Sequence, residues 1–163
     1  MKKIYYYIIS LIIILSIYSC AGYEPIFNTS KLKFNIAEYK IEGDKKLSNQ
    51  IYSKLYNFSK SNINDPDSSS FNLKIKSSKE KSSTAKNSTG KVLEYKVTLK
   101  VDILIEDYFT NDKILKHNFS SFSSYNVQDQ HSETVKLENK TIENLLNKIY
   151  QDLLIKISEK VAN

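Results

Sequence analysis

Apolar residues recur along this chain with two different periods, and each change of period marks a new element. The clearest stretch alternates strictly between apolar and polar positions, its apolar face being formed by Leu93, Tyr95, Val97, Leu99, Val101, Ile103 and Ile105. A strict period of two with one polar face predicts a long strand in an antiparallel sheet. Shorter alternations over Leu32 to Ile41, Phe71 to Lys76 and Ile114 to Val127 predict three further strands.

Two parts of this strand pattern are irregular. In the last strand, Phe119, Phe122 and Tyr125 break exact alternation, which predicts a β-bulge. Between the second and third strands, the segment from Ser77 to Lys91 is rich in Ser, Thr and Lys. That composition predicts a mobile, cationic hairpin tip or loop.

Helical spacing appears twice. The first apolar stripe follows Asp44, a predicted N-cap, ends near Lys60 and consists of Leu47, Ile51, Leu55 and Phe58. The second begins at about Ser132 and recurs at Val135, Ile142, Leu145, Leu146, Ile149, Leu153 and Ile157. This spacing predicts a C-terminal amphipathic helix of roughly 25 residues.

The predicted order is therefore β-α-β-β-β-α. Two helices with one apolar stripe each and a sheet with one apolar face bury each other most simply in two layers. We expect an α+β sandwich, with both helices on one face of a mostly antiparallel four-stranded sheet. The sandwich is expected to form a single domain over residues 31–163. The opposite sheet face is rich in Lys, Glu and Thr and is expected to be exposed to solvent or to contact a partner.

The N-terminus has the layout of an export signal. Lys2 and Lys3 precede an apolar run from Ile4 to Ile17, and small Ser19 precedes Cys20. This pattern predicts a bacterial lipoprotein signal peptide over residues 1–19, cleaved between Ser19 and Cys20. Cys20 would then carry S-diacylglycerol and N-acyl (palmitate-type) chains, which together suffice for stable membrane anchoring. Residues 20–30 would form a lipidated tether.

Two alternatives to this lipoprotein interpretation stay open. No charged residue lies between Lys3 and Glu24, and about 20 uncharged residues are enough for an uncleaved membrane span. The strongly apolar part is short for a span, however, and no Lys or Arg cluster follows it. The other alternative is an ordinary cleaved signal beside an incidental thiol.

Composition restricts the chemistry that the exported domain can perform. Cys20 is the only cysteine, so no internal disulfide is possible. All 24 basic residues are Lys, so an anion must be met by point charges without bidentate guanidinium forks. With a net charge of +6 that includes Lys2 and Lys3 of the signal, and without a basic helix face, nucleic acid is not an expected partner.

Candidate catalytic and metal-ligating residues are few. With three glycines the chain has no glycine-rich phosphate loop, and His117 and His131 have no His or Cys at metal-ligand spacing. Asp102 and Glu106 alternate with core residues on a wet strand face, as charged surface positions do, and Asp107 follows them. We expect no enzyme activity, no metal and no cofactor beyond the lipid on Cys20.

The residues after the cysteine resemble a known family. Cys20 is followed closely by Gly22-Tyr23-Glu24-Pro25-Ile26-Phe27, which is similar to the mature N-terminus of the LPS-assembly lipoprotein LptE, with Ala21 inserted. The element order over the mature chain also matches that family. The resemblance implies a lipid-anchored protein on the periplasmic side of the outer membrane. It would plug an LptD-like β-barrel and bind lipopolysaccharide during its assembly at the cell surface.

Charge alone suggests where lipopolysaccharide would bind. Four lysines of the segment between the second and third strands are candidates to meet lipid A phosphates: Lys79, Lys81, Lys86 and Lys91. The plain alternative is a solvated hairpin tip. A different class of function also stays open, namely a periplasmic-facing envelope lipoprotein that acts as a scaffold or binds a small ligand or peptidoglycan.

Overall fold

A computed structural model describes residues 32–60 and 68–161. The predicted signal peptide, the Ser19-Cys20 cleavage site and the tether lie outside these ranges. The described elements are β1 (Phe34–Gly43), α1 (Lys45–Ser59), β2 (Ser69–Lys86), β3 (Val92–Asp107), β4 (Lys113–Asn126) and α2 (His131–Val161).

The four strands form one sheet in the order β1-β2-β3-β4. β2, β3 and β4 are an antiparallel meander, whereas β1 and β2 are parallel and α1 belongs to the crossover between them. A parallel pair needs such a crossover because its strands run in the same direction. The predicted α+β class, the element order and the mostly antiparallel sheet are confirmed.

Both helices pack on the same face of the sheet. α1 lies over β1 and β2, α2 lies over β4 and β3, and the helices also touch each other. The core between the layers is apolar, and its most deeply buried side chains include Phe34, Ile51, Leu55, Ile75, Leu99, Ile103, Ile149, Leu153 and Ile157. Two amphipathic helices and one half-apolar sheet thus bury their apolar faces against each other.

The strand β3 follows its predicted alternation. Its buried face consists of Val97, Leu99, Val101, Ile103 and Ile105, each at most 2% exposed. Leu93, the first residue of the predicted apolar face, is exposed because it lies close to the β2–β3 turn. Alternation therefore predicts the strand and its buried face, and the position along the strand decides how far burial extends.

The bulge predicted within β4 is wrong in its position. From Leu115 to Tyr125 every β4 residue pairs with a β3 residue without a break, and the register shifts only at the start of β4, opposite Ile105 and Glu106 of β3. The alternation looks broken because Phe122 faces solvent, 65% exposed, while Ser121 faces the core. An exposed aromatic residue and a buried serine invert the usual polarity of the two faces.

The mobile loop predicted from Ser77 is also wrong for most of its length. β2 continues as a strand to Lys86, paired with β3, and only residues 87–91 form the turn. β1 ends at Gly43 opposite Ser77, so the rest of β2 projects past the end of β1. The sequence pattern hides this half of the strand because most of its side chains are polar on both faces.

The helices start and end close to their predicted positions, with one extension. Asp44 caps α1, its carboxylate accepting hydrogen bonds from the backbone N–H groups of Lys46 and Leu47, both at 3.1 Å. α2 has 31 residues, longer than its apolar stripe predicts, and Val135 of that stripe is exposed. Within residues 32–60 and 68–161, neither helix combines the length and the apolar character that crossing a bilayer requires.

Candidate functional surface at the hairpin end

The sandwich has two ends that contain different chain segments. The end where the chain joins the sheet, called the N-terminal end, contains the start of β1 at Phe34 and the β3–β4 turn. The opposite end, called the hairpin end, contains the β2–β3 turn and the start of α2 at His131. β2 has 18 residues, so its ends lie about 55 Å apart.

All four candidate lysines lie in the half of the hairpin that projects past β1, but in two different settings. Lys79 and Lys81 are on the sheet face covered by the helices, in the same alternation as buried Ile75 and Ser77. Lys86 ends β2, and Lys91 precedes β3. The structure therefore separates the set into a helix-facing pair and a tip pair.

The helix-facing pair meets a carboxylate of α2. The Nζ atom of Lys81 lies 2.5 Å from Oε2 of Glu138, and that of Lys79 lies 4.0 Å from Oε1. Tyr125 of β4 donates a hydrogen bond from its hydroxyl to Glu138 at 2.8 Å, and the Lys81 ammonium lies 4.2 Å from the ring centroid of Tyr95. We call Lys79, Lys81, Tyr95, Tyr125 and Glu138 the lysine–tyrosine cluster.

The cluster shifts the pKa values of its members in consistent directions. Burial by itself would raise the pKa of Glu138, but the hydrogen bonds from Lys81 and Tyr125 outweigh it and leave that pKa lowered. Burial would likewise lower the pKa of Lys81, and its bonds to Glu138 and Tyr125 leave it raised. The pKa of Tyr125 is raised, mainly by burial. At neutral pH the cluster therefore contains a charged Lys81–Glu138 pair.

The tip pair flanks a turn that the Asn87 side chain organises. Asn87 Oδ1 accepts hydrogen bonds from the backbone N–H of Thr89 at 3.1 Å and from that of Lys91 at 2.9 Å. Gly90 has a φ of 84°, which favours glycine. In the described part of the chain, neither Lys86 nor Lys91 forms an ion pair. Both ammonium groups are thus available to an external anion.

The sheet face away from the helices is polar and held by cross-strand pairs. Lys74 pairs with Glu106 at 3.2 Å, Lys100 with Glu80 at 2.8 Å, and Asn118 donates to Asp102 at 2.6 Å. Phe122 is exposed on this face, and the ammonium of Lys96 lies 4.3 Å from its ring centroid. Such a face suits a wet environment or a polar partner surface.

A polar groove of about 780 Å³ opens between the two helices. Its walls include the start of α1 around Asp44 and the third to fifth turns of α2, and its polar lining residues include Lys46, Asn49, Gln50, Lys79, Asn139 and Glu143. Its size falls within the range of small-molecule sites, but such sites are mostly apolar and enclosed. The groove is therefore a weaker candidate than the cationic hairpin.

The other residues considered from the sequence do not come together. His117 lies on the edge strand β4, its ring centroid 4.6 Å from that of Phe119, while His131 starts α2 at the hairpin end. Asp102 bonds to Asn118, and Asp107 accepts from the β3–β4 turn. No three His, Cys, Asp or Glu side chains within residues 32–60 and 68–161 are placed to share a metal ion.

No pattern in the sequence indicates that Glu138, Tyr95 and Tyr125 are neighbours of the lysines. Tyr95 and Tyr125 are cross-strand partners in the β3–β4 register, and Lys81 pairs with Val97 across the β2–β3 register. Strand register places the lysine and both tyrosines on one face of the sheet. No register can be assigned to residues 77–91 when their composition is interpreted as that of a loop.

Known structures match this arrangement. The protein aligns with rare lipoprotein B from Shewanella oneidensis, at 16% identity over 77% of this chain and 97% of that one, with a TM-score of 0.54. It aligns with a lipoprotein B from Nitrosomonas europaea, at 15% identity over 85% and 90%, with a TM-score of 0.58. A minor lipoprotein from Acinetobacter baumannii matches at 14% identity over 78% and 93%, with a TM-score of 0.56.

The chain shares its fold with these bacterial lipoproteins. It spans nearly the full length of each, so the likeness covers the whole sandwich. No family model matches the sequence, and no curated protein matches it either. At such low identity the likeness is one of fold, and residue roles must come from this chain's own geometry.

Proposed function

We propose that this protein is an outer-membrane lipoprotein, anchored through Cys20 on the periplasmic side, that plugs an LptD-like β-barrel and assists the assembly of lipopolysaccharide at the cell surface. The observation that carries the proposal is that a predicted lipoprotein signal precedes a domain with this α+β fold. Ser19-Cys20 follows an apolar leader, and the domain behind it has the fold of three bacterial lipoproteins.

The polarity of the surface supports a plug. The lumen of an outer-membrane barrel is polar, so a domain inside it needs a polar exterior around a rigid apolar core. The outer sheet face meets this need with its paired charges, among them Lys74–Glu106 and Lys100–Glu80. Charges that are paired within the domain suit close contact with a wall of mixed polarity.

The β2–β3 hairpin is long enough to extend along the whole path that lipopolysaccharide would take through the barrel. The apolar band of an outer-membrane barrel is about 25 Å tall, and β2 spans about 55 Å. With the N-terminal end near the anchored leaflet, the tip at Lys86 and Lys91 would reach the far mouth of the barrel. Two unpaired ammonium groups there would meet lipid A phosphates as point charges.

A pull-down tests the proposal. The full-length chain with a C-terminal tag, extracted from Gram-negative cells in mild detergent, should bring down one large outer-membrane β-barrel in a stoichiometric amount. An extract with the untagged chain is the control. The intact mass of the purified chain reports the acyl chains on Cys20 in the same sample. An acylated chain that brings down no barrel would rule out the plug and leave the lipoprotein.

The polar groove between the helices favours one second function. A periplasmic-facing scaffold or ligand-binding lipoprotein would use the space beside Asn49, Asn139 and Glu143 for a small ligand or a peptidoglycan fragment. The same pull-down separates the two functions, because this one predicts no barrel. Peptidoglycan fragments that protect the purified domain against thermal unfolding would support it.

A further inference from the structure

The turn between β3 and β4 exposes two adjacent aromatic rings. Phe109 is 78% exposed and Tyr108 is 41% exposed, and their ring centroids lie 5.2 Å apart in an edge-to-face arrangement. Turns usually consist of small and polar residues, so an exposed aromatic pair at a turn needs an explanation. Packing against the helices does not explain this pair, because the turn lies past the last core residue of β3, Ile105.

This turn lies at the N-terminal end. The backbone N–H of Tyr108 donates to the carbonyl oxygen of Ser70 at 2.9 Å, and the neighbouring Ser69 pairs with Phe34 at the start of β1. The aromatic pair is therefore fixed close to the point where the chain arrives from Cys20. The tip lysines are at the opposite end, about 55 Å away along β2.

The number of residues between the cysteine and the domain limits how far this end can be from a bilayer. A chain from Cys20 to Leu32 spans at most about 40 Å, even when fully extended. A lipid on Cys20 would hold the turn at high effective concentration near the membrane surface. A contact between the turn and the membrane would then be maintained, even if it were too weak to bind the domain without the lipid.

The backbone N–H groups of the turn, from Tyr108 to Asp112, all donate hydrogen bonds within the protein. The Asp107 carboxylate accepts hydrogen bonds from the backbone N–H groups of Phe109 at 2.8 Å and Thr110 at 2.9 Å. These bonds lower the pKa of Asp107. Because the backbone donors beside the aromatic rings have partners, the rings can enter the headgroup region without exposing unsatisfied N–H groups there.

We propose that Tyr108 and Phe109 insert into the headgroup region of the bilayer to which Cys20 is anchored, and so orient the domain with its N-terminal end on the membrane. Tyr concentrates at this depth in membrane proteins because its ring is apolar and its hydroxyl can stay in water. Phe is one of the apolar residues that interfacial segments bury at the boundary between headgroups and acyl chains. The inference rests on the proposed lipid anchor and adds a second contact to it. The hairpin end would then point away from that leaflet.

The sequence has no tryptophan, which allows a direct test. The variant Phe109→Trp places a single tryptophan at the turn, and Tyr108→Trp provides a second reporter there. Phe122→Trp is the matched control, because that residue is also an exposed aromatic, on the outer sheet face. Each lipidated full-length variant is reconstituted into phosphatidylethanolamine–phosphatidylglycerol vesicles, with and without lipids brominated on the acyl chains near the headgroup.

Flotation and fluorescence then answer separate questions. We expect all variants to float with the vesicles. In the Phe109→Trp variant, tryptophan emission should move to shorter wavelength and lose about half its intensity with brominated lipid. The Phe122→Trp variant should keep aqueous emission and full intensity.

Two results would overturn the inference while leaving the anchor in place. One is floating protein in which neither the Phe109→Trp nor the Tyr108→Trp variant is quenched, and the other is equal quenching of the Phe122→Trp variant. Protein that does not float refutes the anchor and this inference together.

Discussion

Gly43 and Ser77 are in direct backbone contact where β1 ends and α1 begins. Gly43 has a φ of 73°, and a Cβ atom added to it would overlap the carbonyl oxygen of Ser77. That same carbonyl accepts a hydrogen bond from the backbone N–H of Asp44 at 2.8 Å, and the hydroxyls of Ser77 and Ser48 share a hydrogen bond of 2.7 Å inside the core. This contact fixes the angle at which α1 leaves the sheet.

Replacing Gly43 by Ala should strongly destabilise the fold. The left-handed backbone costs an L-residue about 1–2 kcal/mol, and relieving the overlap with Ser77 adds to it, so we expect a total loss of about 3 kcal/mol. Gly90→Ala is the control, since Gly90 is also left-handed but has open space around its Cβ position. Urea unfolding of both variants measures the difference. Equal losses would mean that the Ser77 contact contributes nothing.

Glu138 should make stability depend on pH. Its folded pKa lies below the ordinary value of 4.5, so its contribution is complete above that pH and is lost as the pH falls through the folded pKa. The groups that face it are the ammonium groups of Lys79 and Lys81 and the hydroxyl of Tyr125. Glu138→Gln should cost about 1 kcal/mol at neutral pH and nothing in strongly acidic buffer.

Denaturant unfolding at several pH values measures this loss. Glu143→Gln, an exposed position on the same helix, is the control and should change stability little at any pH. A Glu138→Gln defect that stays constant into acid would show that packing, and not charge, is what Glu138 supplies.

The two phenylalanines of β4 should respond in opposite ways to truncation. Phe119 is 6% exposed in the core, and Phe119→Ala should cost about 3 kcal/mol. Phe122 is exposed on the other face, and Phe122→Ala should cost less than about 1 kcal/mol, including its contact with Lys96. Thermal or urea unfolding of both variants measures the two losses of stability. A large loss at Phe122 would mean that the outer sheet face is covered, for example by a second copy of the chain.

The tip lysines should contribute more to lipopolysaccharide binding than the helix-facing pair. Lys86→Gln with Lys91→Gln removes two unpaired charges, and at low salt we expect affinity to fall up to about tenfold. Lys79→Gln with Lys81→Gln should weaken binding less, because Glu138 already offsets those charges.

Binding of fluorescent lipopolysaccharide at two salt concentrations measures these effects. Lys45→Gln with Lys46→Gln, at the start of α1, is the charge-matched control. If replacing all four candidate lysines leaves the affinity at low salt unchanged, the hairpin is not the site.

The parts of the fold that the sequence predicts are those in which local pattern and burial agree. β3 alternates because one face is covered along most of its length, and Asp44 caps α1 because its side chain reaches the first free backbone donors. The parts that it does not predict depend on neighbours. β2 continues to Lys86 because β3 supplies its hydrogen bonds, although its own side chains are polar on both faces.

The sequence by itself determined the element order, the amphipathic helices and the face of β3 that is buried, because each depends on residues adjacent or periodic along the chain. Lipid attachment at Cys20 is likewise predicted from adjacent residues and stays a prediction. Tertiary structure alone decided that β1 joins in parallel and that Lys81 meets Glu138, 57 positions away in sequence. Such relationships depend on strand register and helix packing, which bring together residues that no local pattern connects.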